Sequence, residues 1–229
     1  MKRVPLTIVF LLLLCFCAKA QTEPAGGSAN DGVYTNPFFN FTFKYPKDWV
    51  VHGEATNERI RELGEERIAQ SGTSKESVAV ALKNTYQLLT VFRHAVGTPG
   101  ITFNPAILVM AEKVSHAPGI KNGSDYLLNV RALLTKAGHQ VLLKDPKEYQ
   151  FGGSQFFRDN YGVVANGVHL VQTHFVTIRS GYALVFIFMA EDEKSVDEMT
   201  KAMETFDAIP PVRRGVTTVI GSAPERKPN

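Results

Sequence analysis

Between Phe39 and Tyr45 apolar and polar positions alternate. Phe39, Phe41, Phe43 and Tyr45 fall on one side and Asn40, Thr42 and Lys44 on the other, which is the pattern of a strand with one wet face. From Gly181 to Ala190 the alternation vanishes: Tyr182, Ala183, Leu184, Val185, Phe186, Ile187, Phe188 and Met189 follow one another with nothing polar between them. A strand apolar at every position must be covered on both faces. A helix over the same stretch conflicts with its length, with its aromatic and β-branched content and with Gly181 at its start. The run is therefore expected as the central strand of a sheet that has layers above and below.

The rest of the chain supplies the layers. Gln155 to Ala165, then Asn166-Gly167, then Val168 to Ile178 read as a hairpin, because Asn-Gly favours the turn that matches strand twist. Arg179-Ser180-Gly181 turns the chain once more into the central run, giving an antiparallel meander. Gln87 to Ala95 and Ala106 to Val114 read as strands around a loop at Gly97 to Gly100, and Gln140 to Leu143 as a short strand before the Asp145-Pro146 break. Ser124 to Ala137 is an amphipathic helix, with Ser124 placed to cap it, Leu127, Val130 and Leu134 on one face, and Gly138 closing it. Ser195 and Glu198 match a capping box ahead of Val196, Met199, Met203 and Phe206. Glu54 to Gln70 is a charged helix with a thin stripe of Ile60, Leu63 and Ile68, and Lys75 to Leu82 fits a short helix or a strand. Trp49, the single tryptophan, is expected in the core. These elements make one α/β (α+β type) domain, a three-layer α/β/α arrangement with a mostly antiparallel central sheet. It spans residues 34–209, ended by Pro210-Pro211.

The ends differ in composition. Lys2 and Arg3, the apolar stretch Leu6 to Phe16, and Ala18-Lys19-Ala20 form a secretory signal peptide over residues 1–20, with cleavage expected between Ala20 and Gln21. The apolar run is too short for a comfortable transmembrane helix. Residues 21–33 are rich in Gly, Pro, Ser and Ala and read as a flexible linker, and residues 210–229 as a disordered basic tail carrying Arg213, Arg214, Arg226 and Lys227. Both cysteines, Cys15 and Cys17, lie in the signal segment, so the exported chain has no disulfide, thiolate ligand or cysteine nucleophile. The formal charge of +3 is an effect of the same segment: without Lys2, Arg3 and Lys19 the remaining 22 basic residues balance 22 acidic ones. That balance gives no footing for nucleic acid or an anionic membrane as main partner.

Candidate chemistry is sparse. His169 and His174, five apart on a strand, point to opposite faces and cannot hold one metal together; a surface histidine and a hydrogen-bonded core histidine are expected. His52, His94, His116 and His139 are scattered singly. Gly-x-Ser-x-Gly, Ser-x-x-Lys and His-Glu-x-x-His do not occur. Gly152-Gly153-Ser154 reads as a loop admitting the hairpin, against an oxyanion turn. Glu191-Asp192-Glu193 suits the positive end of the last helix better than a cation site. Asn40-Phe41-Thr42 and Asn122-Gly123-Ser124 match the N-glycosylation pattern but fit turn and cap roles first. No catalytic, cofactor-binding or metal residue is assigned, and no cofactor is expected.

Tyr34, Asn36, Phe41, Phe43, Tyr45-Pro46 and Trp49 resemble the opening of PsbP-like domains, a family that includes the extrinsic subunit of the photosynthetic oxygen-evolving complex and secreted bacterial proteins of unknown role. A Ran-binding nuclear protein shares the α/β/α fold that the resemblance implies. The resemblance covers roughly Tyr34 to Ile209 in its order of elements, though only the opening block looks like a motif, and no functional residue is carried over. It implies an exported, periplasmic or extracellular, non-catalytic binding or assembly module that docks on a larger envelope or membrane-associated protein complex. Two alternatives stay open: an exported hydrolase with a dispersed Ser/His/Asp or metal site, and a small-ligand or lipid carrier.

Overall fold

The computed structural model describes residue 24, residues 27–59, residue 62, residues 83–165 and residues 167–209. The signal segment, the Lys75 to Leu82 stretch, most of the Glu54 to Gln70 helix and the basic tail lie outside the described residues; of that helix, residues 54–59 and 62 are helical. Among the described residues the strands are β1 (Ser28–Asn30), β2 (Val33–Asn36), β3 (Phe41–Lys44), β4 (Val50–Val51), β5 (Thr85–Phe92), β6 (Ala106–Lys113), β7 (Gln140–Val141), β8 (Lys147–Phe151), β9 (Ser154–Ala165), β10 (Val168–Arg179), β11 (Tyr182–Ala190) and β12 (Asp207–Ala208). Helix α1 is Gly123–Lys136, and α2 is Glu193–Thr200, which tightens into a 3-10 turn over Lys201–Thr205.

The non-alternating run is β11, and it lies mid-sheet. The large sheet runs β4-β5-β6-β11-β10-β9-β7, with β8 also on β9, and every pairing in it is antiparallel. Leu184, Phe186, Phe188 and Ala190 face one side and Ala183, Val185 and Ile187 the other, and each set belongs to its own apolar cluster. The class expected from the sequence, a mixed α+β fold on a mostly antiparallel sheet, is what the structure has.

The first face is covered by more than a helix. A second sheet, β1-β2-β3-β12, shares it with α2. Tyr34 of β2 and Phe39, Phe41 and Phe43 of the alternating block enter the layer between the two sheets, all essentially buried. Phe41 and Phe43 meet Phe186 at ring-centroid distances of 5.8 and 5.2 Å, and Phe206 stacks on Phe41 at 5.3 Å. Burying four such rings is worth on the order of 6–12 kcal/mol before chain entropy is subtracted. Trp49 packs half-buried at the border of this core. Asn36 fixes the turn into β3. Buried among these rings, it accepts from the Phe39 amide and donates to the Tyr34 hydroxyl and the Pro24 carbonyl. On α2, Val196 enters the same core, and Asp197 pairs with Arg158 of β9 at 2.5 Å.

Several local expectations change. Ser28–Asn30 pairs with β2 through the Asp31-Gly32 turn, so sheet structure begins inside the stretch read as a linker. The cap of α1 is Asn122 in place of Ser124: its side chain accepts from the Asp125 amide while Asp125 accepts from the Asn122 amide. The cap of α2 is Asp192, not Ser195, which puts the acidic triplet at the helix start as expected from the dipole. Strand β8 has no counterpart in the sequence reading. It joins β9 through Gly152-Gly153, a two-residue turn with φ of +51° and +72°, the left-handed pair that suits strand twist. A Cβ at Gly152 would also lie 2.5 Å from the Phe206 carbonyl oxygen.

Candidate functional site: a sealed polar network and a polar cleft

Helix α1 lies across the second face of the large sheet, and the groups beneath it are not all apolar. On β9 the residues turned toward α1 are Phe157, Asp159, Tyr161 and Val163, so a carboxylate stands in an apolar row. On the helix, Arg131 stands one turn beyond the buried Leu127. These two displaced charges find each other. Arg131 Nε donates to Asp159 Oδ2 at 2.5 Å and a terminal nitrogen donates to Oδ1 at 3.0 Å. The same guanidinium donates to the carbonyls of Leu143 and Lys144 at 3.1 and 2.8 Å, fixing the segment after β7. Asp159 is fully buried, and it also accepts from the Tyr161 hydroxyl at 2.9 Å. The hydrogen bond to Asp159 raises the Arg131 pKa above the ordinary arginine value, and burial with the Asp159 charge pushes the Tyr161 hydroxyl far up. Both groups are locked in one protonation state.

Next to Tyr161, at a ring-centroid distance of 4.9 Å, lies His174, also buried. Its Nε2 meets the Gln172 side-chain oxygen at 3.4 Å. Burial, reinforced by the nearby His139, pushes its pKa down to about 3, so it stays neutral. On the other side of α1, the Tyr126 hydroxyl donates to Glu112 Oε2 of β6 at 2.6 Å. Burial first, then the Glu112 charge, raises Tyr126 well above the ordinary tyrosine value.

The six histidines do not converge. His169 is exposed and His174 buried, on opposite faces as their spacing requires. His52 meets the Thr56 hydroxyl at 3.4 Å, and burial lowers its pKa. His94 and His116 sit on loops, and only His139 approaches His174. Among the described residues no group of three or more His, Cys, Asp or Glu side chains is placed to hold a metal ion.

At one end of α1 a cleft of about 220 Å³ opens to solvent. Lys121, Asn122 and Gly123 at the helix start form one wall, Ser154 and Gln155 of β9 another, and Thr177, Ile178 and Arg179 of β10 the third. Sequence reading gave none of these residues a binding or catalytic role, only cap, turn and strand roles, and it singled out neither Arg131 nor Asp159. For the latter two the signal was present, a charge inside each apolar stripe; for the cleft it was not, since its walls meet only through the register of β9 and β10.

No protein-family model matches the sequence, and no curated protein matches it. Solved structures with some likeness include cyanobacterial PsbP (CyanoP) from Synechocystis, at 13% identity over 82% of this chain and 98% of that one, with a TM-score of 0.46. LpqN of Mycobacterium tuberculosis, described as involved in cell envelope biogenesis, shows 12% identity over 83% of this chain and 88% of that one, with a TM-score of 0.39. For a Bacteroides thetaiotaomicron protein the identity is 12% and the TM-score 0.44, and this chain's 79% matches 49% of that longer chain. At these scores the likeness is one of outline, and no residue role follows from it.

Proposed function

We propose that the protein is an exported, non-catalytic binding or assembly module that docks on a larger envelope or membrane-associated protein complex. The observation that carries this reading is an apolar corner beside β4, the outermost strand of the large sheet among the described residues. Val50 and Val51 on β4 are 37% and 42% exposed, and Val96 and Ile101 in the loop between β5 and β6 are 63% and 38% exposed. Pairing of Val50 with Phe92 sets β4 beside the base of that loop. Exposed apolar groups gathered next to a sheet edge are what a docking surface offers: side chains to desolvate and backbone groups to pair.

The use made of the titratable groups supports the non-catalytic part. Asp159, Arg131 and Tyr161 are bonded to one another and to the backbone beneath α1, and His174 is buried against Tyr161 and Gln172. The cleft at the helix start is lined mainly by polar groups, unlike the apolar pocket of a lipid carrier. Export, with cleavage between Ala20 and Gln21 and a periplasmic or extracellular destination, rests on the pattern at the start of the chain.

The test is in-cell crosslinking from a photoreactive side chain at position 96. A reproducible high-mass adduct in the envelope fraction is expected, and a Val50→Lys, Val51→Lys double substitution should abolish it while leaving the melting temperature within a few degrees. A bare monomer under every condition tried would remove the docking reading.

A further inference from the structure

The β9–β10 ladder runs inward from Val168 opposite Ala165 and stops at Val176 opposite Phe157. Beyond that point the strands part. Thr177, Ile178 and Arg179 stay with β11, opposite Leu184, Ala183 and Tyr182, while Ser154, Gln155 and Phe156 stay with β8. The first turn of α1 is set into the resulting wedge so closely that a Cβ at Gly123 would lie 2.3 Å from the Val176 carbonyl oxygen. The cleft is the mouth of this wedge, at the end of the sheet opposite the β4 corner.

Its chemistry is one-sided. Arg179 is half-buried, and its guanidinium reaches only the Ser154 hydroxyl at 3.5 Å and the Asn40 carbonyl at 3.1 Å. Among the described residues no carboxylate lies within ion-pair distance of it, and burial pulls its pKa below the ordinary arginine value. A partly desolvated cation with two weak neutral partners is short of an anion. Thr177 makes the same point independently. It is 6% exposed, it lines the cleft, and its hydroxyl has no hydrogen-bond partner among the described residues. Lys121 adds a second cation at the rim. The one nearby acid, Asp125, is turned back onto the amides of Lys121 and Asn122.

We propose that this cleft binds a phosphate group, held by Arg179, Lys121 and the hydroxyls of Thr177 and Ser154 over the first turn of α1. Guanidinium, ammonium and hydroxyl donors arriving from three walls suit a compact anion with several acceptor oxygens. The phosphate belongs to a soluble ligand or to a lipid headgroup. This site is separate from the apolar corner and stands whether or not that corner docks a partner.

The test titrates the purified protein with inorganic phosphate at ionic strength held constant with sodium chloride, following calorimetric heat and melting temperature, and in parallel sediments it with phosphatidate and with phosphatidylcholine vesicles. Binding of inorganic phosphate with a concentration-dependent rise in melting temperature is expected for a soluble ligand. Sedimentation with phosphatidate but not phosphatidylcholine is expected for a headgroup. Either supports the site, provided Thr177→Val and Lys121→Gln, each melting cooperatively like the parent, weaken the interaction, the first by about tenfold. No response to phosphate or phosphatidate, or a response unchanged in both variants, overturns it.

Discussion

The Arg131–Asp159 pair sets the terms for single-residue behaviour. Asp159 has no exposed side-chain surface and Arg131 only 16%, so both charges left water on folding and each depends on the other. Arg131→Met leaves a buried carboxylate facing one tyrosine hydroxyl and the Asn160 amide. Urea denaturation should show a loss of about 3–5 kcal/mol; a loss below about 1 would mean that the pair is hydrated in the parent. His174 predicts a pH dependence of definite sign. Its folded pKa near 3 lies below the usual histidine value, so the unfolded chain takes up a proton that the folded one refuses. The stability it contributes is complete above about pH 6.5 and is lost as pH falls toward 3. His174→Leu should flatten that part of the stability–pH curve, by up to about 1.4 kcal/mol per pH unit. Tyr161, Gln172 and His139 face the same ring, and an unchanged slope in the variant would overturn the assignment to His174.

At the scale of elements, what the sequence disclosed and what it hid separate along one physical line. Patterns carried by neighbours in sequence were legible. The unbroken apolar run became β11, the Asn-Gly pair marked the β9–β10 hairpin, and the three-four spacing of Leu127, Val130 and Leu134 marked α1. Alternation at Phe39 to Tyr45 announced a strand but could not say which sheet it joins, because a half-buried strand looks the same in either. Tyr149 and Phe151 alternate with Glu148 and Gln150 just ahead of Gly152-Gly153, so β8 was within reach of the same hairpin logic that found β9 and β10. The caps of both helices lie two or three residues earlier than the serines suggested, since Asn122 and Asp192 compete for the same amides and win. The cleft was illegible because parting of paired strands leaves no local trace. Gly123 is where that hidden contact can be tested. Gly123→Ala forces a methyl group against the Val176 carbonyl and should cost about 1–3 kcal/mol by chemical denaturation, whereas an alanine at an open helix start would be near neutral.

Across the whole molecule, two features sit at opposite ends of one sheet: the apolar corner beside β4 and the polar wedge where β9 and β10 separate. Between them β11 ties both cores together, Leu184, Phe186 and Phe188 to the aromatic layer and Val185 to α1. The small sheet has its own peculiarity: β12, drawn from Asp207 and Ala208, completes it against Thr42 and Phe41, and the Lys44 amide donates to the Thr205 hydroxyl across 161 residues of chain. During synthesis the aromatic strand near the beginning therefore waits for its neighbour, for roughly 8–30 s at ordinary ribosomal speeds. Until then Phe41 and Phe43 have no closed layer to enter, and a nascent chain in that condition stays open to holdases and to a translocation pore, able to be threaded because it cannot yet lock.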